Sequence, residues 1–512
     1  MSVTTVSTAD GDIRGVRSGP VVYWRSIPYA APPVGDLRFR APRPVTPWTG
    51  VRDATTFGYA SIQNRSGAVL GYRKYQPTSE DCLTLNVTAP ARPASSPRPV
   101  LVFIHGGGYL MGTSAMGLYS GKHLVPRGDV VLVSMNYRLG VLGYVDFSSF
   151  GTTDRPFESN LGLRDQIAAL EWVQRNIAAF GGDPNNVTIF GESAGAHAVT
   201  ALLATPAAHG LFHRAIAESA PGDWEMNRED AAHWARECID ALGATPADAV
   251  SALTEADPHE LRRAAFRAFR DCVLSSPGFF PMVPVIDGEL LPKSPLDAIA
   301  DGTASRVPLI IGTNRDEGAL FARYLDVMPT TVERLRRVFA VTDPEAHQRI
   351  AATYERHAEP RASVRLGGDL MFWRPTIAVC ESHSQHAPTY NYRFDFTTTV
   401  LRRMRLGATH AAEMLPVFGI KNEPMEFGIT AAGGRRGFRQ VSNAMQSHWL
   451  NFARYGRPLP SWPKYELPQR KTFIFDNPTR VVSDLERDRR EAWQSYKGNY
   501  ADLWSRPGGG GE

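Results

Sequence analysis

The chain has 512 residues, 43% of them hydrophobic and 21% charged, which suits a globular protein with a large core. Its 56 basic and 52 acidic side chains leave a formal net charge of +4. At this length that balance points to neither nucleic acid nor a membrane surface as partner. No stretch approaches the roughly 20 apolar residues that span a bilayer, and the start, MSVTTVSTADGDIRG, lacks the basic and apolar regions of a signal peptide.

In chain order, Asp10-Gly11 lies between short β-prone runs and predicts an early hairpin. Val100 to His105 (VLVFIH) is a continuous apolar run, the pattern of a strand buried on both faces. Val130 to Met135 and Val187 to Phe190 repeat it. Between them Leu163, Ile167, Leu170 and Ile177 recur at helical spacing within 161–180, and Gly181-Gly182 closes the helix. Strand, helix, strand in this order predicts an α/β fold with a mostly parallel sheet and crossover helices. Further strands are expected at Leu309 to Gly312, Tyr390 to Phe396 and Thr472 to Phe475. Residues 222–306 and 325–385 read as mainly helical insertions over the sheet, placed to form a lid or substrate pocket. The chain reads as one unit, 1–512, with a frayed tail over 507–512. The cluster Arg402, Arg403 and Arg405 reads as a solvated loop. Cys82, Cys238, Cys272 and Cys380 are widely spaced, without a CxxC pair, so neither a zinc site nor a dense disulfide framework is indicated. Such sparse use suits a cytoplasmic location.

Two stretches carry chemistry. Gly191-Glu192-Ser193-Ala194-Gly195 matches G-x-S-x-G between an apolar strand and a plausible helix, Ala194 to Ala204. Such a turn presents the Ser193 hydroxyl at the end of the sheet, with a helix N-terminus behind it to favour developing negative charge. His105-Gly106-Gly107-Gly108-Tyr109 ends another apolar strand, and its glycines leave backbone N–H groups uncovered, as an oxyanion hole requires. A serine hydroxyl needs a base and an orienting acid, and in this fold they follow the serine in the order acid, then histidine. Spacing alone does not choose among the 13 histidines.

The ordered set of motifs resembles the type-B carboxylesterases, the family of cholinesterases and bacterial para-nitrobenzyl esterases. It runs from Ile27-Pro28-Tyr29-Ala30 and Ser79-Glu80-Asp81-Cys82-Leu83 through HGGGY, Asn136-Tyr137-Arg138, 160–166 (NLGLRDQ) and GESAGA. It continues with Gly312-Thr313-Asn314, Asp316-Glu317-Gly318 and Thr409-His410. The resemblance implies an α/β-hydrolase fold and an acyl-enzyme on Ser193, with Glu317 as triad acid and His410 as base. It implies Gly107, Gly108 and Ala194 as oxyanion donors and Glu192, Ser219 and Glu413 as a buried polar network. Arg38 with Glu80, and Arg138 with Asp165, match structural ion pairs. Tyr72, Tyr109, Gly278 and Phe280 are expected in the substrate pocket. Because relatives that take small acyl groups carry bulky aromatics near 278, Gly278 suggests an open acyl wall. The alternative is that Gly278 only serves a turn and the space is refilled. The resemblance implies no metal or cofactor, a small-molecule ester as substrate, and a monomer or homodimer. Transfer of the acyl group to another acceptor, as in an acyltransferase, cyclase or amidase, is the alternative activity. Ile62 falls where animal relatives carry the disulfide partner of the cysteine matching Cys82, so that bridge is not expected. Ser26 replaces a usual glycine, and Tyr72 falls near a choline-stacking tryptophan.

Overall fold

In chain order the main sheet is built from β1 (Val3–Thr8), β2 (Gly11–Ser18), β3 (Val21–Pro28), β4 (Val51–Asp53), β5 (Thr84–Pro90), β6 (Arg98–Ile104) and β7 (Val131–Met135). It continues with β8 (Gly182–Glu192), β9 (Arg214–Glu218), β10 (Leu309–Asn314), β11 (Thr389–Phe394), β12 (Lys471–Phe475) and β13 (Arg480–Ser483). The computed structural model describes residues 3–276, 278–325, 327–354, 360–498 and 503; the expected tail, 507–512, lies outside the described residues. Across the sheet the order is β1-β2-β3-β5-β7-β6-β8-β9-β10-β11-β12-β13, with β4 beside β2. Every pairing from β7 to β12 is parallel, while those toward β1 and the β12–β13 pair are antiparallel. The early hairpin forms where expected, with Thr8 opposite Gly11.

The apolar runs are continuous because the central strands are covered on both faces. Successive side chains of β6 alternate. Val100, Val102 and Ile104 join one core with α1 (Leu161–Asn176) and α2 (Ala194–Ala204). Leu101 and Phe103 join a second core with α5 (Arg435–Tyr455) on the opposite face. Helix α2 is buried all round, which its run of alanines permits.

The two insertions are mainly helical, as expected. The first contains α3 (Arg228–Leu242) and α4 (Pro258–Ser275), and also a two-stranded parallel pair, Met226–Asn227 with Val285–Ile286, that periodicity did not reveal. The second contains helices Val332–Thr342, Pro344–Ala351, Pro360–Gly368 and Arg374–His383 and a π-helical turn at Asp369–Trp373; another π-helical turn, Phe321–Leu325, leads into it. Arg38 ties the first insertion to the sheet. It grips Glu80 with two bonds of 2.7 Å and donates to the carbonyls of Leu253, Thr254 and Ala256 at a helix C-terminus. Among the described residues no helix is long and apolar enough to cross a membrane.

Candidate active site

Ser193 stands between β8 and α2 with φ 59° and ψ −128°, a strained backbone for a residue with a side chain. The turn is pinned by Ser193 N–H donating to Glu218 O (2.9 Å) and by His197 N–H donating to Ser193 O (2.9 Å). The motif's glycines are a packing requirement. A Cβ on Gly191 would lie 2.5 Å from the Gly195 backbone, and one on Gly195 would collide with Ile104 O at the end of β6. Ser193 keeps partial exposure, whereas Glu317 and His410 are buried. Across from it runs the 105–109 loop. Gly107 has φ 115°, and a Cβ there would strike Met111 O; beside Gly108 there is open space.

Glu317 and His410 arrive on loops after β10 and β11. Those loops are clipped together one residue before Glu317 and two before His410: Asp316 N–H donates to Ala408 O (2.9 Å), and Ala408 N–H donates back to Asp316 Oδ2 (2.9 Å). The clip brings His410 Nδ1 to 2.7 Å from Glu317 Oε2. Glu317 Oε1 is saturated by Ser219 Oγ (2.6 Å) and Asn314 N–H (2.7 Å). Ser219 Oγ also lies 3.0 Å from Glu413 Oε1, and Asn314 Nδ2 bonds the other Glu413 oxygen. A carboxylate fixed by this many donors holds one imidazole tautomer, with Nδ1 protonated toward Glu317. His410 Nε2 is buried and makes no hydrogen bond; Glu192 Oε1 faces it at 3.0 Å, poorly aligned. The ring is flanked by Phe372 (centroids 4.6 Å apart) and Phe321 (5.1 Å), one from each π-helical turn. Insertions of this kind in helices recur at functional sites.

The electrostatics follow from three buried carboxyl groups acting on one ring, with a fourth, Glu218, behind them. Burial lowers the affinity of His410 for a proton, but Glu192 and then Glu317 outweigh it and hold the group up at about 9. Burial also raises Glu192 and Glu413 above the ordinary carboxylate range. Glu218 is also raised, by burial and by Glu413; Trp449 Nε1–H donates to its Oε1 at 2.7 Å, while Oε2 is unbonded. Sequence reasoning missed Glu218, although register offers a signal: it pairs across the sheet with Glu192. Phe321 and Phe372 carried no signal, since only the π-turns aim them. His197 was missed as well.

Of the expected network, Ser219 and Glu413 meet each other while Glu192 faces His410; Ala194 follows Ser193 directly, and Gly107 and Gly108 lie on the loop whose Gly106 packs against it. The expected pocket residues fare differently. Tyr72 is 88% exposed at the tip of a small hairpin (Val69–Gly71 with Lys74–Tyr75), under Arg73. Tyr109 has no exposed surface; its hydroxyl meets His197 Nδ1 at 2.8 Å, so it backs the 105–109 loop and lines no open pocket. Phe280 packs inward on Trp224 (4.6 Å) and Phe269 (5.8 Å). Gly278 does not face a void. It has φ 96°, and a Cβ there would lie 3.0 Å from Pro329 Cδ and 3.8 Å from Met371 Sδ. The open acyl wall is therefore withdrawn: Gly278 serves a turn, and the insertion fills the space. Cys82 is free and buried, as the absence of an upstream partner implies. Ser26, in place of glycine, retains a left-handed φ of 56°.

A strained serine at the end of a parallel strand, before a helix and beside a buried acid–histidine pair, defines a serine hydrolase of α/β fold. The chain belongs to the carboxylesterase family, whose model matches residues 2–493, and it is a carboxylic ester hydrolase. It is 38% identical to the para-nitrobenzyl esterase of Bacillus subtilis (strain 168) over 504 residues, covering 97% of this chain and 100% of that protein. It is 33% identical to the phenmedipham hydrolase of Pseudarthrobacter oxydans, covering 94% and 97%. Among solved structures, a PNB esterase superposes with a TM-score of 0.86 at 37% identity, covering 96% of this chain and 99% of that one. A carboxylesterase of Geobacillus stearothermophilus gives 0.84 at 36%, covering 96% and 100%.

Proposed function

We propose that Ser193 attacks the ester carbonyl while His410 Nε2 takes its proton, with Glu317 holding the imidazole tautomer and stabilising the imidazolium that forms. The developing oxyanion is received by the N–H groups of Gly107, Gly108 and Ala194. The imidazolium returns its proton to the leaving alcohol. Water then enters by the same route and frees the acyl group. The observation that carries this reading is the 2.7 Å bond between Glu317 and His410 Nδ1, which leaves Nε2 unbonded within a buried site. Burial of Phe321 and Phe372 against the ring favours esters with uncharged, apolar acyl and alcohol parts. We further propose that the chain works as one unit, as a monomer or homodimer; the four free cysteines support a reducing compartment such as the cytoplasm.

The test is covalent labelling. A fluorophosphonate should modify one serine, which peptide mapping locates at Ser193, and Ser193→Ala should lose activity on the order of 10⁶-fold. Stoichiometric label on another serine, or an active Ser193→Ala enzyme, overturns the mechanism.

A further inference from the structure

The expected oxyanion donors come from two separate pieces of chain. Gly107 and Gly108 lie on the loop after β6, and Ala194 begins α2. Three donors serve one oxygen only if the two pieces keep a fixed spacing, and a glycine loop cannot supply that stiffness itself. The loop is braced at several points. Tyr137 OH donates to His105 O (2.6 Å), Gly140 N–H to Tyr109 O (2.7 Å), and Gln63 makes two bonds of 2.8 Å with the backbone of Gly112. None of these reaches α2.

One contact does. Tyr109 OH lies 2.8 Å from His197 Nδ1. Tyr109 directly follows Gly108 and has φ 58°. His197 sits in the first turn of α2, with its N–H on Ser193 O. On its other side His197 Nε2 faces Glu225 Oε2 at 3.4 Å. Tyr109 and His197 are each at most 1% exposed. Burial drives His197 down to about 3, so the ring is neutral. A neutral imidazole has one donor and one acceptor. Accepting from Tyr109 at Nδ1 leaves Nε2–H directed at Glu225. Packing alone does not call for this pair: two buried polar side chains stand where apolar ones would fill the space without needing partners.

We propose that the Tyr109–His197 hydrogen bond couples the two halves of the oxyanion hole, which makes Tyr109 and His197 positioning residues for ester hydrolysis. This rests on the assignment of Ser193 and its donors above. The bond sets the distance from Gly107 and Gly108 to Ala194. Glu225 steadies His197 from behind, so that the ring cannot turn away from Tyr109.

The experiment compares Tyr109→Phe, His197→Leu, the double variant and His197→Asn in the full-length enzyme. It measures kcat, KM, thermal midpoint and affinity for a trifluoromethyl ketone, whose adduct with serine places an oxyanion among the donors. Loosening the donors without removing them should lower kcat about tenfold, below the 100- to 1000-fold of a lost donor, with KM within about twofold. Ketone affinity should fall by the same factor as kcat. The double variant should be no worse than the poorer single one, because one bond is lost in each case. Asparagine offers an acceptor near the Nδ1 position, so His197→Asn should recover most of kcat. Fluorophosphonate mapping of the unmodified enzyme runs alongside. Label at Ser193 with unchanged kcat and ketone affinity in Tyr109→Phe and His197→Leu overturns the coupling and leaves the triad standing. So does a loss that tracks only the unfolded fraction, or fully additive losses. Label elsewhere than Ser193 overturns both readings.

Discussion

At the carboxyl edge of the sheet, Ser193, Glu317 and His410 are carried by backbone: a strained elbow, a strand end, and a two-bond clip between loops. On the other side of the site, Phe321 and Phe372 are carried by π-turns and stack on each other, while Phe280, in a loop, packs on Trp224 and Phe269. Backbone hydrogen bonds fix direction, so the edge can hold reacting atoms to a few tenths of an ångström. Packed rings fix volume but leave shape adjustable. A family that keeps one chemistry and varies its esters needs this division.

Ion pairs offer the largest contrast between the regions. Arg138 and Asp165 beneath the edge are 3% and 0% exposed at the side chain and meet through bonds of 2.6 and 2.8 Å. Arg138→Met strands a buried carboxylate and should cost about 3–5 kcal/mol in denaturant unfolding. Arg337 and Glu333 in the cover are 57% and 75% exposed; Arg337→Met should cost at most about 0.5 kcal/mol. Equal losses would mean that the edge is no stiffer than the cover.

Glu218 probes the interior of the edge. Its carboxyl is held well above 4.5 by burial and by Glu413. Above about pH 4.5 the unfolded chain releases this proton and the native state keeps it. Stability therefore falls with rising pH, by at most about 1.4 kcal/mol per unit, until the raised native value is reached. Glu218→Gln removes this slope and keeps an oxygen for Trp449. Its thermal midpoint should match the parent near pH 4.5 and exceed it increasingly toward pH 7. A gap that stays constant with pH would show that Glu218 is ionised in the native protein.

How much of this was legible follows the same division. G-x-S-x-G and HGGGY could be read because each glycine answers a steric demand: Gly195 faces Ile104 O, and Gly107 faces Met111 O. The central strands could be read because burial on both faces makes them uniformly apolar. Glu317 and His410 could not be chosen by pattern; they came from family resemblance, since the clip that pairs them joins residues more than 90 positions apart. The pocket was read worst. Tyr72, Tyr109 and Gly278 were assigned from family resemblance, whereas their surroundings come from the hairpin tip, from α2 and from Pro329. Helix α5 and strand β13 were missed because neither lies within a long apolar run.

Gly278 is the sharpest probe of the cover. Gly278→Phe places a side chain where φ is 96° and Pro329 already stands. The cost is about 1–3 kcal/mol of strain before any clash. Turnover of acetyl and hexanoyl esters should fall together, along with thermal stability. A selective loss of the hexanoyl ester at unchanged stability would restore the open acyl wall.

The smallest effect lies at the seam, where Glu192 faces His410 Nε2 at 3.0 Å. Burial alone would lower the proton affinity of His410; the carboxylates of Glu192 and Glu317 reverse the sign. Since a base acts only when deprotonated, kcat/KM should rise with pH through the apparent value of this group. Burial also raises Glu192, so the two sites exchange a proton and the acidic limb belongs to the pair. Glu192→Gln keeps the shape and removes one of the three carboxylates that oppose burial. The limb should move to lower pH by about one unit, equivalent to about 1.4 kcal/mol, and become a single simple titration. Maximal turnover should change less than the limb does, because Glu317 still orients the ring. A limb that stays in place would mean that Glu192 remains protonated throughout the working range. A limb that moves upward would mean that its hydrogen bonding, and not its charge, governs the base.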